Sequence, residues 1–247
     1  MTTSARHDFR TGLSALRAAQ KPAWGTPAYS RHVNRPLGRV VAAWGNAHGM
    51  TPNQATAISA VLSASGITLL ATVRPTWWLG IAVAVLLAAG YVMDSVDGQL
   101  ARLRGGGSKS GEWLDHTVDC FKTLTLHLAV AVSWYRFADL PSDAWLLVPV
   151  GFTVVAATTY FGLMLIPTLR PPAAAADPNA VRPEHPLRRF VILPTDYGFQ
   201  CWTFVLLGWT VGFRVVWTAA FAVCAGLLAL ALRKWWRELR AADAAAT

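Results

Sequence analysis

The sequence predicts an all-α, polytopic membrane protein with six transmembrane helices, and three observations predict it. Only 14% of residues are charged, against roughly 25% in a soluble domain. Uncharged runs recur near the roughly 17–25 residues that a helix needs to cross hydrocarbon. Lysine and arginine collect on alternate sides of those runs, as membrane topology requires.

The expected spans are Thr51–Val73, Pro75–Met93, a helix from near Gly111 to Tyr135, Ala144–Leu169, Tyr197–Phe213 and Val215–Leu232. Pro149 and Pro167 are expected to bend or end the fourth. Between the last two, Gly212, Phe213 and Arg214 are the expected turn of a tight hairpin. With the N-terminus in the cytoplasm, only Arg74, Arg136 and Arg214 of the 22 lysines and arginines fall outside. Both termini are therefore placed in the cytoplasm, and the inner membrane is the expected location. The net charge of +9 is then mainly topological, with anionic lipid headgroups rather than nucleic acid as its partners. No secretory signal peptide is expected ahead of the first span, because no short apolar run with a small-residue cleavage site is visible there.

Three regions follow: a cytoplasmic arm over 1–50, a transmembrane catalytic domain over 51–235 and a tail over 236–247. In the arm, Phe9, Leu13 and Leu16 repeat at helical spacing beside Arg6, Arg10 and Arg17, which suits an amphipathic helix in the membrane interface; a partly disordered basic tail is the other reading up to Lys21. A second interfacial segment is expected from Tyr29 to Trp44. The loop from Pro171 to Pro186 reads as a flexible connection, and Ala241 to Thr247 as frayed. Cys120, Cys201 and Cys224 show no disulfide or zinc spacing and read as small buried hydrophobes. His127 lies deep in the third span with no acidic neighbour in sequence, so a hydrogen-bonded packing role is expected.

The chemistry is concentrated between Asp94 and Asp119. Asp94 and Asp97 are three apart, and Asp115 and Asp119 four apart, so each pair shares a helix face. A short glycine-rich stretch joins the two helices, which are expected to be antiparallel neighbours with converging carboxylates. Four clustered carboxylates repel one another and are costly near hydrocarbon. Two divalent cations would neutralise them, and oxygen-only ligands favour magnesium, manganese or calcium over zinc, with magnesium or manganese the expected pair. Paired ions of this kind serve phosphoryl displacement. Gly98 and Ala101 lie on the face of Asp94, and Gly111 lies one turn before Asp115. All three leave room for a ligand to approach the backbone. Arg102 adds a permanent cation suited to a diphosphate.

The pattern D-x-x-D-G-x-x-A-R, eight further residues, then G-x-x-x-D-x-x-x-D resembles the signature of the CDP-alcohol phosphotransferases, and every fixed position is matched. The resemblance implies that Asp94, Asp97, Asp115 and Asp119 hold the metals and that Asp119 also acts as general base. It implies a donor nucleotide pocket lined by Asn53, Gly98, Ala101 and Gly111, supported by Arg102. The donor would be CDP-diacylglycerol or a small CDP-alcohol, the acceptor a hydroxyl, and the assembly a homodimer. Arg188 and Arg189, on the same side, are candidates for binding a phosphorylated acceptor, against plain positive-inside charge. His116 points off the Asp115–Asp119 face and is expected to pack. Two other classes stand beside this one. A membrane prenyltransferase also uses aspartates and a diphosphate but spreads its acidic motifs over a longer bundle. A divalent-cation transporter places its acids near the bilayer midplane.

Overall fold

The computed structural model describes residues 9–18, 27–170 and 192–246. They form an all-helical structure. Helix α1 (Phe9–Ala18) precedes a helix that opens with a π turn at Ser30–Asn34 and continues as α2 (Arg35–Ala47). Then come α3 (Pro52–Thr72), α4 (Trp77–Leu103), α5 (Lys109–Phe137) and α6 (Leu147–Leu169). Past the undescribed stretch lie α7 (Tyr197–Thr203), a 3-10 turn at Phe204–Gly208 and α8 (Thr210–Ala246).

Local chemistry sets the starts of these helices. Thr51 accepts from the Gln54 N–H at 3.2 Å, and Gln54 accepts from the Thr51 N–H at 2.9 Å, a reciprocal cap worth about 1 kcal/mol. Pro52 occupies the first turn, where its missing N–H costs nothing. Thr76 caps α4 through the Leu79 N–H, and Ser108 caps α5 through the Gly111 N–H. Between α4 and α5 the chain reverses through Gly105 at φ +86° and Gly106 at φ +137°, backbone that side chains resist.

α3 and α4 pack closely because small residues let their backbones approach. The Ser59 hydroxyl donates to the Gly90 carbonyl at 2.8 Å. A Cβ on Gly90 would sit 2.5 Å from the Ser63 hydroxyl oxygen. Lower in the bundle, His127 is buried and stacks on Phe152 with ring centroids 4.0 Å apart, beside Trp217. The packing expected for it is found, but the hydrogen bond expected with it is not: Nδ1 is buried without a partner.

Four helical segments, Pro52–Thr72, Trp77–Leu103, Asp143–Leu169 and Thr210–Ala245, are long and apolar enough to cross a membrane among the described residues. Two expectations need correcting. Gly212, Phe213 and Arg214 do not turn the chain; they lie inside α8. Gly212 accommodates the Trp209 indole, and Arg214 satisfies its charge on the Asp139 carbonyl at 3.0 Å, so no turn is needed to bring it to a polar partner. The break falls instead at Gly208–Trp209, and the helical segment before it, Tyr197–Gly208, rises only about 20 Å. That is less than the ~30 Å of hydrocarbon. The stretch expected to fray is helical as far as it is described, since α8 continues to Ala246.

Pro149 lies in the first turn of α6, which it leaves intact, and Pro167 lies in the last. The arm is helical where described. Leu16 is 1% exposed and packs with Ala42, Val96 and Leu100, a burial worth about 2 kcal/mol, while Arg10 and Arg17 stay exposed. The expected loop at 171–186 and the arginines at 188 and 189 lie outside the described residues.

Candidate functional site

The four aspartates meet, but by a different arrangement from close helix pairing. α3 packs against both α4 and α5, whereas α4 and α5 stand apart, and their side chains reach across the gap. Asp94 faces Lys122 and Asp97 faces Asp115, the register of an antiparallel pair. α3, packed against both, sets the gap, and because Gly98, Ala101 and Gly111 near its mouth are small they leave it unfilled. It becomes the cleft.

Asp97 is the most enclosed of the four at 7% exposure. Its Oδ2 accepts from the Thr56 hydroxyl at 2.8 Å, and its Oδ1 from the Gly98 N–H at 2.5 Å. Asp94 pairs with the Lys122 ammonium, and Asp119 Oδ1 lies 2.5 Å from the same nitrogen. Asp115, His116 and Asp119 bring ligand atoms within 4.8 Å of one another. His116 thus joins the group that sequence reasoning set it apart from. Its carbonyl accepts from the Tyr160 hydroxyl at 2.6 Å, which fixes that turn of α5. Oxygen donors converging from two helices, with an imidazole at the edge, suit a hard divalent cation. The residues present fit such an ion.

Two cavities flank the carboxylates. The larger, of about 580 Å³, is lined by Asn53, Gly98, Ala101, Arg102 and Gly111, the expected donor residues, together with Asp97 and Asp115. That size is within the range of small-ligand sites. A Cβ on Gly111 would lie 3.1 Å from Asn53 Oδ1 and 3.0 Å from Ser108 Oγ, so glycine there keeps the cavity open. Arg102 Nε is buried without a hydrogen-bond partner. The smaller cavity, of about 260 Å³, lies toward the N-terminal helix and is lined by Ser30, Asn34 and Arg35 with Asp94, Asp97 and Asp115. The aspartates therefore stand at the wall between two chambers.

Three features escaped the sequence reading. Thr56 is one turn past Asn53 and gives no motif signal. Lys122 was counted only as a topological charge, although it lies three residues past Asp119 on the same face, and a cation so placed in an apolar run needs a carboxylate. Asp196 is the third. It is 1% exposed and accepts from the N–H groups of Tyr29 at 2.9 Å, Ser30 at 3.3 Å and Gly198 at 3.0 Å. Burial raises its carboxyl above the ordinary range, opposed by those N–H donors. It ties the start of the N-terminal helix, and so one wall of the smaller cavity, to α7.

Comparison with known proteins gives the same answer from a different direction. Over 84 residues, 34% of this chain and 42% of the relative, the chain is 37% identical to the archaetidylinositol phosphate synthase of Pyrococcus horikoshii. Over 86 residues, 35% of this chain and 36% of the relative, it is 41% identical to the phosphatidylinositol phosphate synthase of Corynebacterium glutamicum. The alignments thus span less than half the length of either relative. The fold is similar to that of the phosphatidylinositol phosphate synthase of Mycobacterium tuberculosis with CDP-DAG bound, at a TM-score of 0.55 and 20% identity, covering 83% of this chain and 94% of that one. The same enzyme in complex with manganese and citrate matches at a TM-score of 0.51 and 20% identity, covering 83% of this chain and 89% of that one. The profile of the CDP-alcohol phosphatidyltransferases matches residues 49–235, which include all four aspartates and the three helices α3, α4 and α5 that line the larger cavity, and the chain belongs to that family of membrane transferases.

Proposed function

We infer that this chain transfers a phosphatidyl group from CDP-diacylglycerol to the hydroxyl of a small polar alcohol, releasing CMP, in phospholipid biosynthesis. The observation that carries the reading is the meeting of Asp94, Asp97, Asp115 and Asp119 at the wall between two cavities. The larger cavity takes the cytidine nucleotide against Gly98, Ala101 and Gly111, with Asn53 at its edge. Arg102, whose Nε has no protein partner, faces the diphosphate. The smaller cavity takes the acceptor. The lipid donor is supported by the CDP-DAG held by the solved relative.

A divalent cation held by the aspartates, magnesium or manganese, supplies charge neutralisation at the diphosphate when bound. The remaining work belongs to the chain. Asp119 accepts the proton of the acceptor hydroxyl. The hydroxyl oxygen forms a bond to the phosphorus that carries the lipid, and the bond from that phosphorus to the CMP oxygen breaks in line. Thr56 and the Gly98 N–H hold Asp97 in one orientation throughout. Arg188 and Arg189 bind a phosphate on the acceptor.

Around this site the reading keeps the N-terminal arm in the interface, the active site on the cytoplasmic side of the inner membrane, and a homodimer. α5 adds a crossing to the four long apolar segments: its 29 residues rise about 43 Å, enough to cross despite the charges in its first half. The test is to incubate the purified protein with magnesium or manganese, CDP-diacylglycerol and a panel of alcohols, polyols and polyol phosphates. Release of CMP with a matching lipid product is the expected result. No CMP with any acceptor, under conditions where the protein binds the donor, would sink the reading.

A further inference from the structure

The end of α8 carries basic side chains that the site above does not use. Counted from Thr210, the ~30 Å of hydrocarbon takes about 20 residues of helix, so its edge falls near Leu230. The end of α6 lies at a similar level: Arg170, just past Leu169, pairs with Glu238 at 2.5 Å. Arg233, Lys234 and Arg237 therefore stand within about 11 Å of that edge, at the level of the lipid headgroups. Trp236 is 66% exposed at the same level, where tryptophans favour the membrane interface.

Leu230, Arg233, Lys234 and Arg237 follow one another at i, i+3, i+4 and i+7, so they share a face of α8. With Glu238 they line a cavity of about 470 Å³, which shares no lining residue with the two cavities at the aspartates. The Glu238 carboxylate is shared between Arg170 and Lys234, the second at 3.7 Å. Arg233 and Arg237 have no hydrogen bond or ion pair among the described residues. Like charges one turn apart repel, so this pair is stabilised by an anion between them. A guanidinium fork matches the oxygens of a phosphate. Helical side chains lean toward the N-terminus of their helix, here toward the membrane. The cavity thus has an apolar foot at Leu230, beside the hydrocarbon, and unneutralised cations above it.

We propose that this face of α8 binds one anionic phospholipid of the adjoining leaflet, with its phosphodiester on Arg233 and Arg237 and an acyl chain along Leu230. A lipid fits better than free phosphate because apolar foot and cations follow in the order of chain and headgroup. The site does not depend on the transfer reaction proposed above.

Native mass spectrometry of the delipidated full chain in detergent, titrated with phosphatidylglycerol or phosphatidylcholine, tests this. The wild type is expected to bind one phosphatidylglycerol about tenfold or more tightly than phosphatidylcholine. Arg233→Gln with Arg237→Gln is expected to weaken that binding roughly 30-fold, about fivefold for each basic residue. Arg10→Gln with Arg17→Gln, which removes the same charge from the exposed side of α1, is expected to leave it unchanged. Equal affinity of the wild type for the two lipids would overturn the proposal, whether or not a variant folds. Unchanged binding in the Arg233 and Arg237 variant would overturn it too, and so would equal weakening in both variants, since diffuse surface charge would then suffice. Glycerol phosphate, the headgroup without its chains, is expected to leave the lipid in place at equal concentration. Displacement would show a free-phosphate site and overturn the lipid as occupant.

Discussion

Replacing Asp196 with asparagine tests whether one buried carboxylate fastens the N-terminal helix to the rest of the bundle. The carboxylate spreads three backbone N–H donors over two oxygens, with Tyr29 and Ser30 on Oδ2 and Gly198 on Oδ1. Asparagine keeps the shape but replaces one oxygen with an NH2 group. Turned one way it loses the Gly198 bond; turned the other it loses two bonds. In either case an N–H faces an NH2 inside a site that is 1% exposed. A hydrogen bond to a charged group is worth roughly 1.5–3 kcal/mol, so the lower-cost orientation loses about 2–3 kcal/mol. For a chain of this size that corresponds to roughly 4–12 °C in melting temperature. The assay is thermal unfolding of the detergent-purified variant beside the wild type, followed by limited proteolysis, which should cut the chain earlier near Tyr29. A variant that melts within about 1 °C of wild type, with unchanged proteolysis, would show that the three hydrogen bonds carry no net stability and that the N-terminal helix is fastened by something else.

Four further outcomes are expected. Asp119→Asn should abolish CMP release while donor binding persists, as isothermal titration with CDP-diacylglycerol would report. Gly111→Val should press on Asn53 and Ser108 and raise the donor KM by about tenfold or more, from an overpacking cost of roughly 1–3 kcal/mol, with a smaller change in kcat. Gly90→Val should destabilise the α3–α4 contact by roughly 1–3 kcal/mol, because its Cβ would meet the Ser63 hydroxyl, and thermal unfolding would show it. Arg188→Ala combined with Arg189→Ala should weaken apparent affinity for a phosphorylated acceptor and spare that for an unphosphorylated one; equal affinity for both would end the acceptor role of these arginines.

What the sequence made legible was whatever depends on neighbours in the chain. Thr51, Pro52 and Gln54 write out a helix start, and Gly105 and Gly106 write out a reversal. The spacing of Asp94, Asp97, Asp115 and Asp119 fixes two helix faces, and a hairpin turns those faces toward each other. Contacts between distant segments were not legible. Asp196 meets Tyr29 across 167 positions, and nothing near either residue signals it. Lys122 and Arg214 were both read as charges seeking water, yet each satisfies itself within the protein, one on carboxylates and the other on a carbonyl. That misreading of Arg214 placed a turn inside what is a continuous helix. The separation of α4 from α5 depends on α3 packing against both, which no local pattern encodes.

α8 has a practical consequence. Its 37 residues rise about 55 Å, some 25 Å more than the hydrocarbon thickness of a bilayer. The projecting end is braced: Glu238 pairs with Arg170 at 2.5 Å, and the Trp235 ring lies against Gly162. A soluble partner domain fused in helical phase after Ala246 would ride on a stiff mast clear of the detergent belt. That gives a small, otherwise featureless membrane protein a handle for particle alignment in electron microscopy.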